Sequence, residues 1–187
     1  FLVFLRPLGL RLRPVRSQYL ESAPLLMPLF FANLFCYTKA NKGEARMFLC
    51  GTDHLTDRHQ AYQLLEQAVY QHWDLNILPE LKREPRGKPF FPQFPHRQFN
   101  LSHSGNYALC ALSAQPVGVD IQIFSAPWSE KLIQRSCTPA ELDWLAKQGN
   151  RPENFALLWA CKESIGKQSG LGLPYPPSRL PVLPLSN

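Results

Sequence analysis

The sequence lacks the signatures of several common enzyme and metalloprotein classes. Its five cysteines are odd in number and widely spaced, with neither a C-x-x-C pair nor a Cys/His cluster at zinc-ligand spacing. A serine-hydrolase elbow of the form G-x-S-x-G is missing, and Gly87-Lys88 and Gly166-Lys167 lack the other residues of a P-loop. Zinc ribbons, α/β-hydrolases and P-loop nucleotidases are therefore excluded, and we expect reduced core thiols in a cytosolic protein.

Long apolar runs and charged residues are also scarce. The apolar stretch from Pro24 to Tyr37 has 14 residues and two prolines, whereas a membrane-spanning helix needs roughly 20 apolar residues. Hydrophobic residues make up 45% of the chain and charged residues 18%, which predicts a packed core and excludes wholesale disorder. The 18 prolines, against 10 glycines, predict loops and interrupted elements in place of a long helical bundle.

The net charge of +6 is concentrated at one end of the chain. Residues 1–46 contain seven Lys/Arg and two Asp/Glu, whereas residues 47–187 contain thirteen and twelve. The body of the protein is thus almost neutral, and we predict neither a nucleic-acid partner nor a membrane partner. Translation is expected to start at Met47, which makes residues 1–46 upstream sequence or a poorly ordered extension.

From Met47 onward the residue pattern predicts alternating strands and helices. Met47–Cys50 is a short apolar strand candidate, and Asp57 is placed to cap a helix. The apolar positions of that helix follow a 3.6-residue period and are Ala61, Leu64, Leu65, Ala68, Val69 and Trp73. The five prolines between Pro79 and Pro95, with the turn Arg86-Gly87-Lys88-Pro89, predict an extended loop.

The second part of the chain predicts two strands followed by two helices. Tyr107–Leu112 and Val117–Phe124 have the pattern of strands joined in a hairpin. Thr138 and Glu141 form a capping box that begins one helix. A second helix is predicted from near Pro152 to about Gln168, where Ser169-Gly170 stops it.

The segment Gly118–Ile123 carries two oxygen-bearing side chains in alternate positions. In a strand, Asp120 and Gln122 share one face at a spacing of roughly 6–7 Å. Such a pair is suited to a hard cation such as Mg²⁺. The alternative is an ordinary solvated face of an edge strand.

The predicted helix after Pro152 carries a second polar cluster. Helical periodicity places Trp159, Glu163 and Lys167 along one stripe. A half-buried carboxylate beside basic residues suits a metal ligand or a general base. The alternative is a surface ion-pair face that contributes little to stability.

A third cluster lies in Phe99–Gly105, which we predict to be a polar turn before a strand. Ser102, His103 and the amides of a turn are together suited to receive a phosphate group. The alternative is a hydrogen-bonded structural histidine in a loop.

The order of these motifs resembles the 4′-phosphopantetheinyl transferases, specifically the monomeric type that activates peptide synthetases such as surfactin synthetase. The motifs are Gly87-Lys88-Pro89, Phe99-Asn100-Leu101-Ser102-His103-Ser104, Gly118-Val119-Asp120-Ile121-Gln122 and Trp159-x-x-Lys162-Glu163-x-x-x-Lys167. The resemblance covers about Met47 to Leu173. It implies an Mg²⁺-dependent, cytoplasmic, monomeric enzyme that transfers the phosphopantetheine arm of coenzyme A to a serine of an apo acyl or peptidyl carrier protein.

The resemblance also implies the fold and its division. The fold is α+β, with two similar small α/β halves related by a pseudo-two-fold axis and with coenzyme A and Mg²⁺ between them. The implied parts are an N-terminal extension (1–46), a first half with the phosphate-binding residues (47–117), and a second half with the metal site and the catalytic helix (118–187). Because a proline-rich tail stands where relatives have further strands, the second half is expected to be incomplete.

The resemblance implies roles for ten residues. The implied metal ligands are Asp120, Gln122 and Glu163, and Gln122 stands where many relatives have Glu. The implied coenzyme A-binding residues are Arg58, Lys88, Ser102, His103 and Trp159. The implied catalytic residues are Glu163, Lys162 and Lys167, and the two lysines flank the pyrophosphate.

Two alternatives from other classes stay open. One is a truncated, catalytically silent relative that binds coenzyme A or a carrier protein without turnover. The other is a basic membrane- or nucleic-acid-associated protein, and it depends only on residues 1–46.

Overall fold

The computed structural model describes residues 2–6, 34–39, 47–57, 59–123 and 128–182. These ranges form strands and helices in an α+β arrangement, as the sequence predicted. The strands are β1 (Leu2–Arg6), β2 (Leu34–Lys39), β3 (Met47–Thr52), β4 (Lys82–Arg83), β5 (Pro89–Phe90), β6 (Gln98–Ser104), β7 (Tyr107–Ser113) and β8 (Gly118–Gln122). The helices are α1 (His59–Trp73), α2 (Glu130–Ser136), α3 (Pro139–Lys147), α4 (Pro152–Ser169) and a 3₁₀ turn at Pro177–Arg179.

One antiparallel sheet and helix α1 enclose the first part of the core. The sheet has the strand order β2-β3-β7-β6, and the apolar stripe of α1 is buried against it. Leu65, Val69 and Leu112 are among the fully buried side chains between helix and sheet. The predicted strand at Met47 and the predicted periodicity of α1 are both confirmed, because each buries the apolar face that its pattern defines.

Two cysteines of this core face each other across neighbouring strands. Cys50 on β3 and Cys110 on β7 are direct register partners, and both are buried free thiols. A hydrogen bond with Cys110 and burial both raise the pKa of Cys50, so this thiol stays protonated at neutral pH. Cys50 and Cys110 are thus reduced core residues, as expected.

Strand β8 does not form the hairpin with β7 that the sequence predicted. β7 pairs with β3 on one edge and with β6 on the other, while β8 pairs antiparallel with β1, where Asp120 lies opposite Phe4. Both edges of β7 are occupied, so its backbone has no free hydrogen-bonding edge for β8. The hairpin prediction was therefore wrong, and Phe124 of the predicted strand lies outside the described residues.

Two segments predicted as loop or turn contain strands. The proline-rich stretch Pro79–Pro95 includes the small hairpin of β4 and β5, whose turn has Gly87 at a φ of 89°. The predicted polar turn Phe99–Gly105 is mostly strand β6, and the turn follows at Gly105, where φ is 56°. Pairing along the whole of β7 outweighs the turn preference of the Asn and Ser residues in β6.

Helices α2, α3 and α4 surround a second core. The predicted capping box is present: the Thr138 side chain accepts from the amide of Glu141, and the Glu141 carboxylate accepts from the amide of Thr138 at 2.8 Å. Helix α4 ends as predicted, with Gly170 in the left-handed conformation at its C-cap. Phe155 and Leu158 of α4 are buried in this core.

The proline-rich tail packs against the same helices without forming a strand in its described portion. It contains the 3₁₀ turn, and Val182 packs against the second core. Among the described helices, none has the length and hydropathy that crossing a membrane requires.

Candidate functional site

Side chains from β6, β8 and α4 converge on the carboxylate of Asp120, which is 2% exposed. Its Oδ1 accepts hydrogen bonds from Ser102 Oγ at 2.8 Å and from Lys167 Nζ at 2.5 Å. Its Oδ2 accepts a hydrogen bond from Gln122 Nε2 at 2.8 Å. Lys167 Nζ also donates to Ser102 Oγ at 2.8 Å. Residues from three separate motifs thus form one polar cluster, which we call the Asp120 cluster.

Glu163 lies within electrostatic range of this cluster. Burial raises the pKa of Glu163, the negative charge of Asp120 raises it further, and the positive charge of Lys167 partly offsets both effects. Glu163 and Lys167 of the predicted stripe therefore face β8. A half-buried carboxyl group with a raised pKa is suited to accept a proton from a substrate.

Gly118 allows β8 and α4 to approach closely enough for these contacts. A Cβ atom at this position would lie 1.9 Å from the carbonyl oxygen of Ser164 and 2.7 Å from the amide nitrogen of Gln168. Both are backbone atoms of α4, so no side-chain rotation relieves the clash. The glycine thus determines the distance between the strand that carries Asp120 and the helix that carries Glu163.

We therefore expect Gly118→Ala to separate β8 from α4. The free energy of unfolding should fall by about 2–3 kcal/mol, since overpacking displaces backbone atoms. Urea denaturation measures this loss. Gly149→Asn is the matched control, because its Cβ meets open space and Asn tolerates the left-handed φ of 74°. Equal stabilities of the two variants would contradict this role of Gly118.

Three side chains of β6 accept hydrogen bonds from two backbone amides of β8 and from the amide of Ile123, which directly follows β8. The pairs are Asn100 Oδ1 with Val119 N at 2.9 Å, Ser102 Oγ with Ile121 N at 3.2 Å, and Ser104 Oγ with Ile123 N at 3.2 Å. Sequence reasoning missed Asn100 and Ser104. The signal was available, because Asn-x-Ser-x-Ser places polar side chains on one face of a strand.

Lys162 is adjacent to Glu163 in sequence, but its described contacts point elsewhere. Its Nζ donates to both carboxylate oxygens of Glu141, at 3.0 and 2.9 Å, and to the carbonyl oxygen of Leu180. Glu141 also accepts a hydrogen bond from the amide of Val182 at 2.9 Å. Both charged side chains are 1% exposed. The structure therefore brings Lys162 to α3 and the tail, and it brings Lys167 to the Asp120 cluster.

Lys88 lies on the β4–β5 hairpin and contacts the C-terminal end of α4. Its Nζ donates to the carbonyl oxygen of Gln168 at 2.7 Å. Burial lowers the pKa of Lys88, and the charge of Glu84 partly offsets this effect. Arg86 of the same turn donates to the carbonyl oxygen of Leu171 at 2.6 Å. The hairpin thus connects the first core to the helix that carries Glu163.

The other predicted coenzyme A-binding residues lie in different surroundings. His103 is exposed on β6, next to Ser102 in sequence and therefore on the opposite face of the strand. Trp159 packs against Trp128 and Phe155, with a ring-centroid distance of 6.1 Å to each. Arg58 lies outside the described residues.

The donor atoms of the Asp120 cluster suit a hard cation. In the described part of the chain, no group of three or more His, Cys, Asp or Glu side chains is arranged to hold a metal ion. Asp120 and Glu163 supply two carboxylates, and Gln122 adds an amide. Mg²⁺ commonly uses one or two carboxylates and completes its coordination with water and substrate phosphates. The residues present therefore fit Mg²⁺.

Comparison with known proteins shows which family the second part of the chain is similar to. Residues 116–186, which contain the Asp120 and Glu163 motifs, match the model of the 4′-phosphopantetheinyl transferase superfamily. This match confirms the resemblance of the motifs to the superfamily.

Several curated relatives are similar to this chain. It is 41% identical over 92 residues to 4′-phosphopantetheinyl transferase Sfp of Bacillus subtilis, covering 48% of this chain and 41% of the relative. It is 32% identical over 129 residues to 4′-phosphopantetheinyl transferase ffp of Bacillus subtilis, covering 66% and 57%. A Mus musculus relative, L-aminoadipate-semialdehyde dehydrogenase-phosphopantetheinyl transferase, is 32% identical over 143 residues, covering 67% and 45%. The chain spans about half the length of these relatives, and the similarity to Sfp supports the assignment to the Sfp type.

Proposed function

We propose that the protein transfers the 4′-phosphopantetheine arm of coenzyme A to a serine of an apo acyl or peptidyl carrier protein and releases 3′,5′-ADP. The convergence of Asp120, Glu163 and Lys167 carries this proposal. It unites a cation-binding carboxylate, a proton acceptor and a phosphate-binding cation at one place. Phosphoryl transfer needs these three groups together.

In this proposal Asp120, Gln122 and Glu163 hold Mg²⁺. When bound, the ion would offset the charge of the pyrophosphate and polarise the phosphorus that the serine attacks. Gln122 supports this role, since its side chain already contacts the Asp120 carboxylate instead of pointing to solvent.

Glu163 acts on the attacking group and Lys167 acts on the leaving group. The carrier serine oxygen forms a bond to the β-phosphorus of coenzyme A, and Glu163 takes the hydroxyl proton. The bond from that phosphorus to the bridging oxygen breaks, and 3′,5′-ADP leaves with the bonding electron pair. Lys167 stabilises the charge on the leaving phosphate. Ser102, which bonds to both Asp120 and Lys167, orients them.

The remaining coenzyme A contacts are proposed from the resemblance of the motifs. His103, which is exposed on β6, is assigned to the 3′-phosphate, while Lys88 and Arg58 supply further positive charge for the phosphates. Trp159, which packs against Phe155, is proposed to support the site from its aromatic cluster. The contacts of Lys162 with Glu141 favour a supporting role in place of a phosphate contact.

The proposed organisation is a monomeric, cytoplasmic protein with two related halves, 47–117 and 118–187, that follow an extension, 1–46. Contacts of Lys88 with Gln168 support a cleft between the halves in which coenzyme A binds. The carrier protein and coenzyme A are the proposed partners.

The test is incubation of the protein with coenzyme A, Mg²⁺ and a panel of apo carrier proteins. Mass spectrometry should show a gain of one phosphopantetheine arm on a carrier, and a carrier whose acceptor serine is replaced by alanine should show none. Coenzyme A binding without any mass gain would instead identify a catalytically silent relative.

Gln122→Glu should lower the Mg²⁺ concentration needed for half-maximal activity. The substitution adds a negative charge near the ion, and a carboxylate is a stronger ligand than an amide for a hard cation. We expect a shift of roughly three- to tenfold. Titrations of activity and of the thermal midpoint with Mg²⁺ measure it, with Gln122→Ala as the comparison. An unchanged titration in both variants would contradict a ligand role for Gln122.

A further inference from the structure

The two edges of β8 are held in different ways. On one edge its backbone pairs with β1. On the other edge, the amides of Val119, Ile121 and Ile123 donate to the side chains of Asn100, Ser102 and Ser104 on β6. We call this second set of contacts the side-chain ladder. It joins β8 to the four-stranded sheet, since β6 is the strand at that edge of the sheet.

The side-chain ladder sets the register of β8. Alternate residues of a strand lie on the same face at a spacing of roughly 6–7 Å, so three acceptors on β6 match the amides of Val119, Ile121 and Ile123. A slip of one residue would turn every side chain of β8 to the other face. Asp120, which lies between the first two ladder amides, would then point away from Glu163.

Asn100, like Ser104, is a ladder residue that does not touch the Asp120 cluster in the described contacts. It is 4% exposed, and the amide it accepts from belongs to Val119, which is 0% exposed. Water cannot replace the acceptor at such a site, so its loss leaves a buried amide unsatisfied. Ser102, by contrast, bonds directly to Asp120 and Lys167.

We propose that Asn100 is a positioning residue for phosphopantetheine transfer. Its side-chain oxygen holds the amide of Val119 and so keeps β8 in the register that presents Asp120 to Glu163 and Lys167. The link to turnover rests on the proposed function. The competing view is that Asn100 contributes only to stability.

Three variants separate these roles. Asn100→Leu keeps the branched shape of the side chain and removes the acceptor, while Asn100→Asp keeps an oxygen at the same place. Gln98→Leu is the matched control: Gln98 shares this face of β6 by strand alternation, but its side chain donates to Pro95 instead of contacting β8. For each variant, three properties are measured: the affinity for Mn²⁺, kcat and KM with coenzyme A, and the rate of hydrogen exchange at Val119 and Ile121. All measurements are made at a temperature well below the thermal midpoint of the variant.

Asn100→Leu should weaken Mn²⁺ binding and lower kcat by about 10- to 100-fold each, the usual effect of removing a group that orients a metal ligand. KM for coenzyme A should change by less than about threefold, and exchange at Val119 and Ile121 should accelerate. Asn100→Asp should keep the Mn²⁺ affinity and kcat within a few-fold of the parent values, because its added negative charge does not repel a cation. Gln98→Leu should match the parent.

A folded Asn100→Leu protein with the Mn²⁺ affinity and kcat of the parent would overturn the positioning role of Asn100 and would leave the proposed function unaffected. A parent that neither binds Mn²⁺ nor transfers the arm would overturn the proposed function, and the inference with it. If Asn100→Leu does not fold, the variants Ser104→Ala and Ser104→Thr are compared in the same measurements. Only threonine keeps the hydroxyl acceptor for the amide of Ile123.

Discussion

Asp120→Asn and Glu163→Gln should each reduce arm transfer by about 10²–10⁴-fold while the protein stays folded. Both substitutions keep the shape of the side chain and remove its charge. Asp120 loses its ability to bind a cation, and Glu163 loses its ability to accept the serine proton. Initial rates with coenzyme A and an apo carrier protein measure the loss, and circular dichroism verifies folding.

Glu153→Gln, in the first turn of α4, is the control for Asp120→Asn and Glu163→Gln. It removes a carboxylate from the same helix nearly three turns before Glu163, and its activity should stay within twofold of the parent. Turnover near the parent rate in the Asp120 or Glu163 variant would refute the assignment of that residue.

Lys162→Met should produce the largest loss of stability, about 3–5 kcal/mol in the free energy of unfolding. It removes the partner of the Glu141 carboxylate and leaves a buried charge uncompensated. It also leaves the carbonyl oxygen of Leu180 without its donor. Urea denaturation of parent and variant measures the difference.

The exposed ion pair of Lys147 and Asp143 on α3 supplies the control. Its Nζ–Oδ2 distance is 2.7 Å, but the two side chains are 71% and 62% exposed. Lys147→Met should therefore change stability by less than about 0.5 kcal/mol. The double variant Glu141→Leu/Lys162→Met should recover only part of the loss, because it removes the uncompensated charge but leaves the amides of Thr138 and Val182 without their acceptor. If Lys162→Met lowered the free energy of unfolding by less than about 1 kcal/mol, Lys162 would not be the partner that compensates the buried charge of Glu141.

Elements whose signal is local were predictable from the sequence. The apolar stripe of α1, the capping box at Thr138 and the left-handed Gly170 each depend on residues a few positions apart. Such interactions form within one helix or at its ends, so distant parts of the chain do not alter them.

The strand pairing was not predictable in this way. The short connection between β7 and β8 favours a hairpin, and the Asn and Ser residues of β6 favour a turn. The partners that override these preferences are β3 for β7 and β1 for β8, which are distant in sequence. Pairing with distant strands satisfies more backbone groups than either local alternative.

The sequence by itself determined the candidate residues and the face each occupies on its own element. Helical and strand periodicity placed Glu163 with Lys167, and Asp120 with Gln122. Only the tertiary structure decided which residues meet. Two lysines flank Glu163 on α4, and periodicity alone does not distinguish their partners. Lys167 meets Asp120 because β8 packs beside α4 at Gly118, while Lys162 meets Glu141 because α3 packs on another side of the same helix.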